Sequence, residues 1–422
     1  MKKIISAVLI LMMLCSCSNQ SYSNASEPFK SEDTEESKSQ SANIKENEVR
    51  AVWMTYYELS SITKNCKDAN SFSVQIKNAF AELCTFNINK VILQVRPCAD
   101  AFYKSSFFPV SEYFSGVQGA QLTYDPLALS IEAAHSLNMK IEAWVNPYRV
   151  SQSNDINNLS QSNTAKIWEQ SPESESLVYV SDSGIYFNPA SAAVTELIVN
   201  GVREIVSGYD VDGVHFDDYF YPTESKKIDK KEFNEYKTGG GTLNLTKWRI
   251  QNVSNMVKSV YAAIKEAKPL VEFGISPSGN VKNNLSSLYA DVVSWCSQEG
   301  YCDYICPQIY YGFKNETVPF MFTVKKWISL ATKCKLYIGL PMYKCGVKDK
   351  YASSVDKKAI KEFINSSDII TRQIKYIRHF EEISGFYIFS YSNLVSPSNE
   401  NMKKESALIK ELLNNNQHNQ QK

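Results

Sequence analysis

Short apolar runs alternate along this chain with longer amphipathic stretches, and the alternation repeats eight times. The runs are rich in β-branched and aromatic residues. They lie near Val49–Tyr57, Lys90–Arg96, Lys140–Pro147, Asp212–Asp217, Val271–Pro277, Asp303–Tyr310, Lys335–Pro341 and Gly385–Tyr391. Such runs predict strands. The stretches that follow them predict helices at about Ser71–Phe86, Pro126–Leu137, Ala190–Ser207, Leu245–Ala267, Asn284–Ser297, Val318–Thr332, Lys357–Ser384 and Asn401–Leu413. Strands separated by helices pair in parallel. Eight such units predict an α/β fold, a single (β/α)8 TIM barrel with loop insertions. The rival architecture, an open doubly wound sheet, usually carries a Gly-rich phosphate loop after its first strand. Here that strand runs into Tyr56-Tyr57-Glu58-Leu59, without glycine. Gly239-Gly240-Gly241 follows no strand and reads as a flexible hinge between the fourth strand and its helix.

Side chains on a strand alternate between faces, so each barrel strand has one set toward the helices and one toward the lumen. On the second strand Val91, Leu93 and Val95 face outward, leaving Ile92, Gln94 and Arg96 inside. On the third, Ile141, Ala143 and Val145 leave Glu142, Trp144 and Asn146. On the fourth, Val214 and Phe216 leave His215 and Asp217. The fifth places Glu272, Gly274 and Ser276 inside, the sixth Tyr304, Cys306, Gln308 and Tyr310, and the seventh Tyr337, Gly339 and Pro341. An ordinary barrel core prefers bulky branched residues. Buried polar groups without partners cost free energy, so this many must form a network or serve a ligand. Gln94, Glu142 and Glu272 come early in their strands and read as an internal network. Arg96, Asn146, Asp217, Ser276, Gln308 and Tyr310 come late, at the C-terminal mouth where barrel active sites sit.

The ends of the chain have a different character. Met1-Lys2-Lys3 precedes an apolar run from Ile4 to Leu14, too short to span a bilayer as a helix. Leu14-Cys15-Ser16-Cys17 resembles a bacterial lipobox, which implies a signal peptide over residues 1–16, cleavage before Cys17 and lipidation of Cys17. The chain is therefore expected outside the cytoplasm, held to a membrane by its lipid. Residues 17–48 are Ser, Asn, Glu, Lys and Gln with almost no aromatics, a disordered tether by composition, and 414–422 reads the same way. The barrel is expected over 49–413. Lysine plus arginine equals aspartate plus glutamate at 45 each, which argues against a nucleic-acid partner. Aromatics make up 12% of the chain; sugar-binding clefts use them, but exported proteins are often Tyr-rich, and composition does not separate the two. Eight cysteines lie beyond the lipobox-like segment, an even number in a compartment that permits disulfides, and spacing leaves both paired and free thiols open. No C-x-x-C pair occurs and the four His are scattered, so neither a metal nor an organic cofactor is expected.

Asp217-Asp218 is the sharpest chemical feature. Two adjacent carboxylates at a strand end repel each other and lose solvation, which can leave an acid beside a base. Glycoside hydrolysis needs that division of labour. Asp217 points inward by parity and is the principal catalytic candidate. Asp218 is its acid or base partner, or a cap for the following loop.

At this point a family resemblance emerges. It is carried by Arg50-Ala51-Val52-Trp53, Val95-Arg96-Pro97, Tyr124-Asp125-Pro126-Leu127, Ala143-Trp144-Val145-Asn146-Pro147-Tyr148-Arg149, the long run from Asp212 to Pro222, Pro307-Gln308-Ile309-Tyr310 and Ile338-Gly339-Leu340-Pro341-Met342-Tyr343. These segments resemble the bacterial barrel proteins labelled family-10 glycosyl-hydrolase-like. The resemblance implies a (β/α)8 fold, an envelope location and activity on glycans, some members being reported to cleave peptidoglycan strands stripped of their peptides. It makes a polysaccharide the expected partner, with Asp217 and Asp218 catalytic. Arg96, Asn146, Arg149, His215, Tyr219, Gln308 and Tyr310 would hold sugar hydroxyls or orient the carboxylates, His215 being equally readable as a satisfied core histidine. The fourth strand is also similar to the chitinase motif, but Tyr219 stands where that motif has an acidic residue. The seventh ends in Pro341-Met342-Tyr343, without the Glu nucleophile of many retaining glycosidases. The alternative is a glycan-binding lipoprotein that cleaves nothing.

Overall fold

The computed structural model of the chain describes residue 45 and residues 47–415. The leader, Cys17, most of the tether and the tail from residue 416 lie outside the described residues. Eight parallel strands close into a barrel: β1 (Val49–Met54), β2 (Lys90–Arg96), β3 (Lys140–Val145), β4 (Gly213–Phe216), β5 (Glu272–Ile275), β6 (Tyr304–Ile305), β7 (Lys335–Leu340) and β8 (Ile383–Phe389). Each pairs with its sequence neighbours, and β8 closes on β1 with Val52 opposite Ile388. The fold is the TIM barrel that the alternation predicts. Among the described residues, no helix is long and apolar enough to cross a membrane.

Parity holds on the outer face. Val91, Leu93, Ile141, Ala143, Val214, Phe216, Phe273, Ile275, Leu336 and Ile338 all join the apolar layer under the helices. Burying an aliphatic side chain of this kind is worth about 1.5–3 kcal/mol, so the layer is the main source of stability. The lumen has its own separate cluster, built on Trp53, Trp144, Tyr304, Tyr337 and Tyr387. Below it Lys90 Nζ meets Glu142 at 2.5 Å and Glu272 at 3.1 Å, while Lys335 meets Glu272 at 2.7 Å. Burial raises the Glu142 carboxyl, and Lys90 opposes that shift. The internal network expected of Glu142 and Glu272 is therefore present at the N-terminal end.

The element boundaries differ in informative places. The first strand ends at Met54, not Tyr57, because Thr55 caps a helix over Tyr56–Lys64 and Glu58 completes the capping box. The sixth strand is only Tyr304–Ile305, since Pro307 has no N–H to give the ladder. The long helix expected over Lys357–Ser384 is three short ones, Lys357–Ile360, Glu362–Asn365 and Ile369–Ile377, followed by β8 from Ile383. Asn284–Ser297 likewise divides into Val281–Ser286 and Val292–Ser297. Gly239–Gly241 is no open hinge. It ends a helix over Lys230–Thr238, with Gly240 at φ +88° and Gly241 N–H donating to Tyr236. The ordered part begins before residue 49: Glu48, assigned to the tether, is buried in a two-pronged pair with Arg378 at 2.8 Å. The last helix runs through Asn414. All eight described cysteines are free thiols.

One insertion lacks any counterpart in the predicted elements. Between β3 and the helix Ala192–Gly208, Arg149–Ser151, Val178–Ser181 and Gly184–Phe187 form a three-stranded antiparallel sheet. Its Arg149 strand starts just past the C-terminal end of β3, so the sheet is delivered to the mouth.

Gly274 faces the lumen on β5, where a Cβ would run into the Tyr304 ring. We expect Gly274→Ala to destabilise the barrel by about 1–3 kcal/mol, the usual cost of overpacking, seen as a lower urea midpoint at unchanged slope.

Candidate active site at the barrel mouth

The C-terminal mouth holds a cleft of about 700 Å³. Its floor carries Gln94, Trp144, Asp217, Asp218 and Gln308. Tyr56 and Tyr57 rise on the β1 side, Arg149 and Tyr219 on the β3–β4 side, and Tyr310, Tyr343 and Phe389 across from them. The antiparallel sheet adds Gln152, Ser183 and Tyr186. Three rim tyrosines are partly open to solvent: Tyr57 is 57%, Tyr219 51% and Tyr343 38% exposed.

Asp217 is only 4% exposed. Trp144 Nε1 donates to its Oδ2 at 3.0 Å and Asn146 Nδ2 donates to the same oxygen at 2.6 Å. The Tyr219 N–H donates to Oδ1 at 3.1 Å. The Asn146 amide is itself oriented. Tyr56 N–H, at the start of the first helix, can only donate, and it reaches Gln94 Oε1 at 3.1 Å. Gln94 Nε2 must then face outward, and it donates to Asn146 Oδ1 at 2.7 Å. That leaves Asn146 Nδ2 for Asp217. A one-way relay thus crosses from the end of β1 through β2 and β3 to β4, each step set by the one before. Gln94 was expected to serve only the deep network; it lines the cleft and sets this relay.

Asp218 is partly buried and accepts from Gln308 Nε2 at 3.2 Å, the same amide that donates to Ser276 O at 3.0 Å. Burial, then the Asp218 carboxylate, push Asp217 up to about 7, and the Arg149 guanidinium pulls the other way. Burial also raises Asp218, with the Gln308 amide opposing. Arg149 is fixed by its Nε donating to Pro97 O at 2.9 Å, and its guanidinium lies 4.7 Å from the Tyr219 ring. One cation thus faces two carboxyls, an imbalance that favours protonation of the pair.

Asp217, Asp218, Arg149, Tyr219, Gln308 and Tyr310 come together around one cleft. Three expected site residues do not line it. Arg96 points into the helix layer, its guanidinium 4.4 Å from the Phe108 ring and packed against Gly201. The cause is a bulge: Gln94 pairs with Trp144 but Arg96 pairs with Val145, so one extra residue reverses the parity. Asn146 lies behind Asp217 and serves it from below. His215 sits a layer deeper, fully buried, with Trp53 Nε1 donating to Nε2 at 3.1 Å and Tyr304 OH 2.7 Å from Nδ1. Burial, then Lys90, push its imidazole down to about 3, so it is neutral and a satisfied core group. Tyr56, Tyr57, Tyr343 and Phe389 were not expected at the site, and neither were Gln152, Ser183 and Tyr186 of the inserted sheet and its turns. The signal for that sheet was the run Val178-Tyr179-Val180-Ser181 and Gly184-Ile185-Tyr186-Phe187 on either side of Asp182-Ser183, a hairpin pattern. Among the described residues, no group of His, Cys, Asp and Glu is arranged to hold a metal ion.

With this geometry in view, the sequence profile described as glycosyl hydrolase-like 10 matches residues 48–355. The chain belongs to that family. The glycosyl hydrolase YngK of Bacillus subtilis (strain 168) is 36% identical over 325 residues, covering 71% of this chain and 61% of that protein. The glycosyl hydrolase DigH of Escherichia coli (strain K12) is 34% identical over 289 residues, covering 62% and 64%. The chain thus spans rather less than two thirds of these curated relatives. Two solved structures share the barrel. The glycoside hydrolase domain of PgaB (BpsB) from Bordetella bronchiseptica has a TM-score of 0.56 at 10% identity, over 86% of this chain and 98% of that one. The alpha-L-fucosidase isoenzyme 2 from Paenibacillus thiaminolyticus has a TM-score of 0.52 at 13% identity, over 89% and 50%. At such identities the likeness is one of fold. Within the family's matched span lie the whole relay, both carboxyls and the antiparallel sheet.

The shifted carboxyl has a local reporter, since Trp144 donates directly to Asp217. We expect the Trp144 indole N–H resonance to titrate near pH 7. Asp218→Asn, which removes a neighbouring charge, should move that titration down. Arg149→Met, which removes the opposing cation, should move it up.

Proposed function

We propose that this chain is a glycoside hydrolase acting on a cell-wall or related polysaccharide, with Asp217 as general acid. The observation that carries the reading is a pair of adjacent carboxyls on the floor of an aromatic-rimmed cleft, one of them buried and pushed up by that burial. Oδ2 of Asp217 is occupied by two donors, so Oδ1 carries the proton and gives it to the leaving glycosidic oxygen. Asp218, the less buried of the two, is the partner that activates water or stabilises the positive charge that develops on the sugar ring. Arg149 and Gln308 hold the pair in place. Tyr57, Tyr219 and Tyr343 offer flat apolar faces to sugar rings on different sides of the cleft, which suits a chain rather than a single sugar. The names of the curated relatives support the class of reaction, and peptide-free peptidoglycan strands are the first substrate to test. The cleft lining has no third carboxylate beyond Asp217 and Asp218. That favours, as a second reading, a glycan-binding protein that does not cleave.

The test is release of reducing ends from peptide-free peptidoglycan strands by the full chain and its Asp217→Asn variant. General acid catalysis contributes roughly 10²–10⁴-fold, and the variant should lose about that much. A general acid works only while protonated, so the parent's rate should fall as pH rises through about 7. Binding without release by the parent would establish the second reading instead.

We further propose that the chain is exported and anchored by a lipid on Cys17; the support is the Met1–Cys17 motif. Cys17→Ser should move the protein from the membrane fraction to the soluble extracytoplasmic fraction on cell fractionation. Retention of the variant in the membrane would sink the proposal.

A further inference from the structure

A second cavity opens on the same face of the barrel, between the segments that follow β2 and β3. Its volume is about 570 Å³, inside the range of about 300–1,000 Å³ common for ligand sites. Cys98 and Asp100 come from the first segment, Ser151 and Ser153 from the second, and Tyr113 and Gln118 from the turn that covers them. Gln152 lines this cavity and the carboxylate cleft alike. Its Nε2 donates to the Tyr56 hydroxyl. The Tyr56 and Tyr57 rings pack at 4.0 Å, and Tyr113 stands edge-on to Tyr56 at 4.6 Å. The two cavities therefore share one ridge of tyrosines and an amide.

Asp100 is what asks for a ligand. It is 1% exposed and lines the cavity. Gln118 Nε2 donates to its Oδ2 at 3.1 Å, while the buried Oδ1 has no hydrogen-bond partner. A buried carboxylate oxygen without a close donor is costly, and a ligand that donates to it would relieve that cost. Burial pushes this carboxyl up to about 6, against the help of Gln118, the Ser111 hydroxyl and the Glu112 N–H. No Lys or Arg is among the lining residues, and Glu112 adds an acid at the rim. An anion is thereby disfavoured. A ligand rich in hydroxyl or amide N–H donors, with an apolar face for Tyr113, fits.

We propose that this cavity is a further sugar subsite of the carboxylate cleft, in which Asp100 accepts a hydrogen bond from a ring of the same glycan chain that bears no acid group, away from the bond at Asp217. The proposal rests on the glycan reading above, and it adds that the ligand is a chain long enough to cross the Gln152 ridge.

Binding tests it independently of cleavage. The probe is a ladder of peptide-free peptidoglycan fragments of defined length, titrated calorimetrically into the full chain carrying Asp217→Asn. Affinity should rise with length to a plateau. Adding Asp100→Asn should lower the plateau by about ten-fold, as loss of a hydrogen bond to a charged group does, and leave the shortest binding fragment unchanged. Val117→Trp, at a rim position 66% exposed, should do the same by crowding the cavity, and it covers the case in which the Asp100 variant does not fold. An unchanged rise with length in both variants, or an equal loss at every length, overturns the subsite while leaving the glycosidase reading intact. Length-dependent, Asp100-sensitive binding by a parent that releases no reducing ends keeps the subsite and overturns the hydrolase reading. No binding at any length overturns the subsite and the glycan reading together.

Discussion

A carboxyl group taken out of water must be surrounded by donors, and the mouth of this barrel is organised around meeting that demand at Asp217. Trp144, Asn146 and the Tyr219 N–H supply the donors. Asn146 is of use only because Gln94 turns it, and Gln94 only because the first N–H of a helix turns it in its own right. Four consecutive strands thus converge on one oxygen pair. The arrangement is rigid because every member sits on, or within three residues past, a strand whose outer face is locked into the apolar layer.

The two ends of the lumen treat buried charge in opposite ways. At the N-terminal end Glu142, Glu272, Lys90 and Lys335 balance as two acids and two bases, and Lys335 together with Lys90 holds Glu272 down to about 2. A closed network of that kind serves the fold. At the C-terminal end two acids share one guanidinium, and burial wins at both of them. Between the ends lies a plug of indole and phenol rings together with neutral His215, which keeps the two sets of charges apart. The imbalance is thus confined to the mouth, where a ligand can relieve it.

The antiparallel sheet inserted after β3 changes what the mouth can hold. A bare ring of strand ends would offer a shallow dish. Arg149, Gln152, Ser183 and Tyr186 come from this sheet and raise one side of the dish into a wall, while Gln152 also borders the second cavity beyond it. The rim tyrosines then lie on several sides of the carboxyl pair. The cleft and the second cavity then lie on either side of one ridge at Gln152.

Much of this was legible in the sequence, for a definite reason. Alternation with period two and period 3.6 is a local property, and it named the eight strands, the closed parallel barrel and the outer apolar layer. It also pointed Asp217 inward and put Gln308 and Tyr310 beside it. What it could not carry is anything set by contacts between strands. Arg96 left the mouth because one bulge against Val145 reversed its face, and a bulge is a property of two strands together. His215 became a core group because Trp53 and Tyr304, far away in the chain, occupy both its ring nitrogens. Gln94 joined the site because Asn146 and Tyr56 happen to flank it across the barrel. The sequence by itself determined which residues are apolar on which side of each strand, and so the fold. Only the tertiary structure decided which polar groups face a ligand, because a hydrogen bond depends on distances between segments that the order of residues does not contain.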